Sequence, residues 1–409
     1  MRRRDLTKSL LASAAVGTGA ASDAGAQNCA PPCFAPTAAE AAAGITPSTL
    51  IYSASPRIDP RRYGALGNGT ADDTQAMQTA LNVAQAGNGR VLIPEDFRML
   101  CGPLALTVGG LDALTNSLAI EGTSMVGSRI VAKPGQAAPL ITVRSTNPAA
   151  LLQPAQLIFE NFSLSNLVHN RADAKVPGGH GLSLQGLGWM RISGVQIVGF
   201  DTGLQMINSL STLIDQQCQF DSNNTGLSIG RLGGANAPQT ANLITLDHCR
   251  IIGNTLWGVN FAGGSQFVMR GCNLELNGAR GNAATGALLT GSDLSGNFGL
   301  ARIELYENWI EANYGQAIHI QPLNSGLLTV SIEGGQVISS EQGRALLIGA
   351  PARPVHQVML KNLYSPSAAD TWQINATYLT LINTLAARLN INADNHTYIN
   401  ALSSSGLLT

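Results

Sequence analysis

Charge is scarce in this sequence. Asp, Glu, Lys and Arg make up 12% of its 409 residues, where roughly 25% is usual for soluble proteins. Net charge is -1, and no Lys/Arg run follows the first residues, so nothing marks a nucleic-acid partner. No apolar stretch reaches the ~18 residues that span a bilayer, which excludes a membrane-crossing helix. No C-x-x-C pair is present, and the repeating units described below contain no long run of period 3.6. What is abundant is glycine, with 45 residues. Together with 44% hydrophobic content, this fits a chain that buries a large core while spending many residues on corners.

From about residue 157 to 363 one short phrase recurs: an alternating apolar strand, a Gly or Asn corner, and a second short strand. Ile244 to Asn254 is followed by Gly258 to Phe261, and Ile303 to Asn313 by Ala317 to Ile320. With drift it returns at Met190 to Phe200, Ile214 to Asn223, Phe267 to Asn277 and Val330 to Ser340. Units of ~20–50 residues that cannot bury a core alone must stack. Their short alternating runs are strands, which predicts a parallel β-helix.

Superposing the copies places Val195, Cys218, Cys249, Cys272, Asn308, Gly335 and Leu363 in one column, which strand alternation turns inward. Buried thiols pack as small hydrophobes. No His shares the column, so it is read as structural and no metal site is expected.

The N-terminus reads as an address occupying residues 1–26. Arg3-Arg4-Asp5-Leu6-Thr7-Lys8 resembles a twin-arginine export signal without the usual preceding Ser or Thr, and a weakly apolar stretch leads to an A-x-A site at Ala24-Gly-Ala26. Cleavage there leaves Gln27 first and implies a bacterial protein of the periplasm or beyond. Cys29 and Cys33 follow, spaced either for a small disulfide loop outside the cytoplasm or, less in keeping with Ala26-Gln-Asn, for a lipid anchor on Cys29. Residues 27–56, rich in Ala, Pro and Thr, read as a linker before a β-helix domain at 57–409.

Tyr63 to Leu81 carries the most specific local pattern. A Gly-rich turn leads to Asp72 or Asp73 as N-cap. The helix that follows, at 74–86, has an apolar stripe of Ala76, Met77, Ala80, Leu81 and Ala84. An amphipathic helix suits the open end of a solenoid. This motif, over residues 63–100, resembles the start of the pectate lyase-like superfamily, in the branch with rhamnogalacturonase- and epimerase-type proteins and phage tailspikes. The resemblance implies an all-β, right-handed parallel β-helix with an N-terminal capping helix. It also implies a polysaccharide partner bound along the outside of the coils. Tailspike relatives are trimers, yet no coiled-coil heptad argues for one here, and the oligomeric state stays open.

Outward positions flanking the inward column supply the candidate chemistry. Three positions past it fall Asp221, Glu275 and Glu311; two before it, Asp247, Arg270 and Tyr306; one after it, Arg250 and Trp309. Rungs lie ~4.8 Å apart, so carboxylates one or two rungs apart span the ~5–10 Å that glycosidases use. Glu275 and Glu311 are the leading pair, with Asp221 next. A lyase would instead use Arg250 or Arg270, flanked by Asp247 and Glu275, as base. No organic cofactor is implied, and only a lyase would call for Ca²⁺. Trp309, Tyr306 and Trp257 are candidates for stacking on sugar rings. Leu246-Asp247-His248-Cys249 resembles the W-I-D-H segment of pectate lyases, and Gly179-His180-Gly181 the G-H-G of polygalacturonases. The accompanying R-x-P-x-x-R, N-T-D and D-D segments are missing. The expected function is therefore an exported lyase or glycoside hydrolase of an acidic or deoxy-sugar polysaccharide, or else a noncatalytic exported β-helix for glycan binding or surface scaffolding.

Overall fold

The computed structural model describes residues 33–407 apart from 55–56, 88, 109–116, 147–152, 167–172, 231–240, 262–263, 283, 293–299, 323–326, 340–344, 366–369, 387 and 404–405. The export signal at 1–26 and Cys29 lie outside the described residues. Cys33 is disulfide-bonded.

Each coil contributes one strand to each of three faces. In one turn these are Leu187–Ser193, Gln196–Val198 and Thr202–Ile207, and the next turn repeats them as Leu210–Asp215, Gln219–Asp221 and Thr225–Gly230. These strands pair in parallel with their counterparts on adjacent coils, as do the others up to an antiparallel pair of Leu402–Ser403 with Gly406–Leu407, which makes a right-handed parallel β-helix. The first and third faces merge at the C-terminal end. There the long strand Thr371–Ile382 pairs with both Leu346–Ile348 and Val355–Lys361, and Arg388–Ile399 runs beside it. Coils are already complete well before residue 157, as Arg90–Ile93, Phe97–Cys101 and Leu104–Val108 show. The drift in repeat length comes from the connections: that between third and first faces runs only from Ile207 to Leu210 in one coil and from Gly230 to Asn242 in the next, and that between second and third faces runs from Asp221 to Thr225 in one coil and from Glu275 to Gly286 in another.

Two corners set the cross-section. Between the first and second faces left-handed residues turn the chain, singly at Gly194 (φ 59), His248 (52), Gly271 (55) and Glu307 (51), and as a pair at Gln216 (52) and Gln217 (60). The residue that follows points inward. Val195, Cys218, Cys249, Cys272, Asn308 and Leu363 are all buried there. The Cys249 amide donates to the Cys272 Sγ at 3.4 Å, and the Cys272 amide to Asn308 Oδ1 at 3.0 Å.

The second corner carries a ladder of buried asparagines, Asn223, Asn254, Asn277 and Asn313. Asn254 Oδ1 accepts from the Asn223 amide at 3.0 Å and from its Nδ2 at 3.2 Å. In turn Asn254 Nδ2 donates to Asn277 Oδ1 at 2.8 Å and to the Phe220 carbonyl at 2.9 Å. A corner exposes backbone groups that no strand partner can reach, and buried orphans of this kind are costly. The stacked carboxamides satisfy them from one rung to the next.

The open N-terminal end is closed by the helix Thr74–Gly87, whose Ala76, Met77, Ala80, Leu81, Val83 and Ala84 are buried. The two candidate capping aspartates divide the work. Asp72 Oδ1 accepts from the Thr74 amide at 3.1 Å, while buried Asp73 turns back to hold the Gly-rich turn through the amides of Leu66 at 2.7 Å and Gly67 at 3.0 Å.

The stretch expected to be a linker is packed against this cap over its described residues. A short helix, Ala38–Ala42, carries Glu40, whose carboxylate is fully buried with Arg62 at 2.5 Å. Arg62 also donates to the carbonyls of Phe34, Ala35 and Tyr52. Burial alone would raise the Glu40 carboxyl. The hydrogen bonds from Arg62, Thr37 and Tyr63 outweigh it and leave the group below its usual value.

The asparagine ladder generates a stability test. Asn254→Ala leaves the Asn223 amide buried without its partner, at about 1–3 kcal/mol, and deletes the side-chain bonds to the Phe220 carbonyl and to Asn277, at about 1 kcal/mol each. Urea denaturation is expected to show a midpoint lowered by the equivalent of about 2–5 kcal/mol with an unchanged slope. A midpoint equal to wild type would show that water or a shifted backbone replaces the side chain.

Candidate functional site

Strand register on the second face arranges the outward side chains in two columns. One runs Asn68, Arg98, Arg129, Ser163, Gln196, Gln219, Arg250, Asn273, Trp309, Gln336 and Tyr364. The other includes Val198, Asp221, Ile252, Glu275 and Glu311. Between them the inward residues Ile197, Phe220, Ile251, Leu274, Ile310 and Val337 are buried. This alternation forces every other residue of a short strand out of the core, so the face is polar wherever those positions are polar. Gln196 donates to Gln219 at 3.1 Å, and Trp309 and Tyr364 are 46% and 45% exposed at the C-terminal end of the same column.

Asp221 and Glu275 therefore stand two rungs apart, about 10 Å between Cα atoms, and Glu311 is one rung beyond Glu275. Their environments differ. Asp221 is half-buried, and its Oδ1 is fully buried without a hydrogen-bond partner. Burial pushes this carboxyl up to about 6, although the Arg250 charge and a backbone hydrogen bond at Ile252 pull the other way. Glu275 accepts a hydrogen bond from Asn273 Nδ2 at 2.7 Å. A carboxylic acid that keeps its proton up to about pH 6, with a second carboxylate on the same face, meets the requirement for general acid–base work.

Asp247, Arg270 and Tyr306 stand elsewhere. They form a column on the first face with Glu333 and Lys361, around the corner at His248 from Arg250. The carboxylates of this face are paired. Asp247 meets His248 Nδ1 at 2.8 Å, Asp215 meets Arg191 at 3.1 Å, and Glu333 meets Lys361. Glu304 holds Arg302 at 2.5 Å and accepts the Tyr306 hydroxyl at 2.8 Å. Burial and this bond to Glu304 raise the Tyr306 phenol. The sequence-predicted residues thus fall into two groups on different faces: Asp221, Arg250, Glu275, Glu311 and Trp309 come together, and Asp247, Arg270 and Tyr306 do not join them.

Trp257 needs correction as a stacking residue. It begins the strand Trp257–Phe261 on the third face and is 8% exposed. Its register neighbours are Thr225 and Gly286; it stands on a different face from Trp309 and its ring is covered, so little of it is presented to a ligand. Tyr364, which shares the column of Trp309, was not singled out from the sequence. Its signal was its position, one residue past Leu363 of the inward column. Among the described residues no three His, Cys, Asp or Glu side chains gather as a metal site, and no helix is long and apolar enough to cross a membrane.

Comparison with known proteins agrees with this architecture. The family model described as right handed beta helix region matches residues 180–349. No curated protein matches the sequence significantly. Among solved structures, the tailspike of Acinetobacter phage vb_AbaP_AS12 superposes with a TM-score of 0.55 at 12% identity, covering 89% of this chain and 66% of the tailspike. An exopolygalacturonase from Thermotoga maritima gives 0.51 at 10% identity, covering 87% and 93%. The ORF18 protein of Geobacillus virus E2 gives 0.50 at 13% identity. There the alignment covers 85% of this chain, which spans only 61% of the viral protein. The chain shares the right-handed parallel β-helix fold with these proteins.

The environment of Asp221 predicts a stability signature. Its proton is held from the ordinary 3.8 up to about 6 in the folded chain. The folded state therefore loses stability as pH rises from about 4 to about 6, and the loss persists above that. Asp221→Asn mimics the protonated form. Thermal melting is expected to show it more stable than wild type at pH 7–8, by up to about 2–3 kcal/mol, with the difference closing by pH 4. A constant offset across that range would contradict a buried, proton-holding carboxyl.

Proposed function

We propose that the protein is an exported carbohydrate-active enzyme that hydrolyses an acidic or deoxy-sugar polysaccharide lying along the second face. The observation that carries this reading is the raised Asp221 carboxyl on one face with Glu275 and Glu311. In this reading Asp221 donates its proton to the glycosidic oxygen as the bond from that oxygen to the sugar carbon breaks. Glu275 takes a proton from a water whose oxygen bonds to that carbon. Two carboxyl groups about 6.5–9.5 Å apart leave room for that water and lead to inversion, a spacing that side chains two rungs apart can reach. Trp309, and Tyr364 beyond it, offer exposed ring faces for sugars. The fold is shared with an exopolygalacturonase, which supports a polysaccharide as partner. Export rests on Arg3, Arg4 and the site at Ala24-Gly-Ala26.

Incubation of the mature protein with uronic-acid and neutral polysaccharides separates the outcomes. Reducing ends without unsaturated-product absorbance are expected. Asp221→Asn and Glu275→Gln should each lower kcat at least about 100-fold, and the wild-type rate should fall as pH rises through about 6. Absorbance in place of simple hydrolysis would assign a lyase with Arg250 as base. No product across the panel would leave a noncatalytic glycan-binding or scaffold protein. For export, expression in a bacterial host should yield a chain starting at Gln27, and Arg3→Lys with Arg4→Lys should retain the precursor in the cytoplasm. Release that does not depend on the two arginines would reject the twin-arginine route.

A further inference from the structure

The same outward column carries a second feature at its N-terminal end. Arg98 and Arg129 are register partners on adjacent rungs, about 4.8 Å apart at Cα. Like charges facing each other across neighbouring strands are unfavourable unless something neutralises them. A cavity of about 460 Å³ opens beside them, lined also by Asn68, Glu95, Asp96 and Gly127. The carboxylates in its wall do not neutralise the pair. Glu95 is drawn instead to the hydroxyls of Thr123 at 2.7 Å and Ser124 at 2.8 Å. Gly127 makes room for that arrangement, since a Cβ there would lie 2.0 Å from Glu95 Oε1. Arg129 Nε donates to the Val126 carbonyl, which fixes its guanidinium and leaves the outer nitrogens turned to other partners. Among the described residues neither arginine forms an ion pair.

We propose that Arg98 and Arg129 form an anion subsite that takes an oxyanion borne on a glycan, a uronate carboxylate or a sulfate ester. Two planar guanidinium groups on a rigid sheet suit bidentate recognition of such a group, and the Glu95 and Asp96 carboxylates can accept neighbouring sugar hydroxyls. The column continues through Ser163 and Gln196 to the strand of Asp221, three rungs or about 14 Å beyond Arg129. Ser163, on the intervening rung, is buried, so a chain anchored at the arginines reaches Asp221 only by passing over that covered rung. That alignment rests on the hydrolase reading, whereas the anion site itself requires no cleavage.

Titration calorimetry of the mature chain with an oligogalacturonate, a sulfated oligosaccharide and a neutral oligosaccharide of equal length tests the subsite. At least one anionic oligosaccharide should bind, more weakly as salt is raised, and the one that binds identifies the group. Arg98→Gln should weaken it several-fold and Arg98→Gln with Arg129→Gln at least tenfold. Arg129→Lys, which keeps charge without the fork, should fall between wild type and Arg129→Gln. Thermal melting of each variant checks that it is folded, and exposed Arg98 carries the test alone if the Arg129 variants are not. Equal binding of neutral and anionic oligosaccharides, or undiminished binding by the folded variants, overturns the proposal. An inactive wild type that still binds through the two arginines would reject the hydrolase reading and leave the anion site standing.

Discussion

Parallel, in-register stacking of backbone on backbone is the constraint from which everything else here follows. Because each strand bonds to its counterparts about 4.8 Å away, a side chain meets chiefly the residues at the same column of adjacent coils. Apolar columns become continuous core. Polar columns are tolerable inside only where neighbours satisfy one another, as Asn223, Asn254, Asn277 and Asn313 do. Outside, the same rule makes the chemistry of a face a matter of column composition: no single loop has to fold correctly for Asp221, Glu275 and Glu311 to share a surface.

Stacking also divides the two polar faces. On the first, charges of opposite sign alternate closely enough to cancel, as Glu333 with Lys361 and Asp215 with Arg191. Surface pairs of that kind contribute little to stability, and they leave few groups with an unmet electrostatic need. On the second face Asp221, whose buried unpartnered oxygen is matched by one of Asp215 on the first, has no ion pair among the described residues, and Arg98 and Arg129 face each other across adjacent rungs. A surface with unmet needs of both signs is suited to a ligand that carries hydroxyls and acid groups along its length.

Much of this was legible in the sequence because stacking writes itself as repetition. The inward column of Val195, Cys218, Cys249 and Cys272 and the apolar stripe of the capping helix follow from alternation and period alone. The division of the candidates between faces did not. Asp247 and Arg250 are three residues apart and look like neighbours, but the left-handed turn at His248 sends their strands in different directions. Trp257 belongs to a third strand whose outward column the repeats had not separated. The asparagines closed each copied phrase, yet only the fold shows that they touch. The packing of Glu40 on Arg62 was hidden for another reason: it joins a single pair across 22 residues, and a contact made once leaves no period to read.

The thiol stack has a consequence for chemistry in an oxidising compartment. Disulfide exchange begins with a thiolate, and hydrogen bonds to Cys218 and Cys272 together with burial hold the Cys249 thiol well above its usual value. Cys249, between its two register neighbours, is thereby a poor starting point for exchange, and all three thiols are buried and free, whereas Cys33, outside the core, is disulfide-bonded. The interior can therefore keep three reduced sulfurs where oxidants are plentiful, provided that the coil has closed around them before the oxidant arrives.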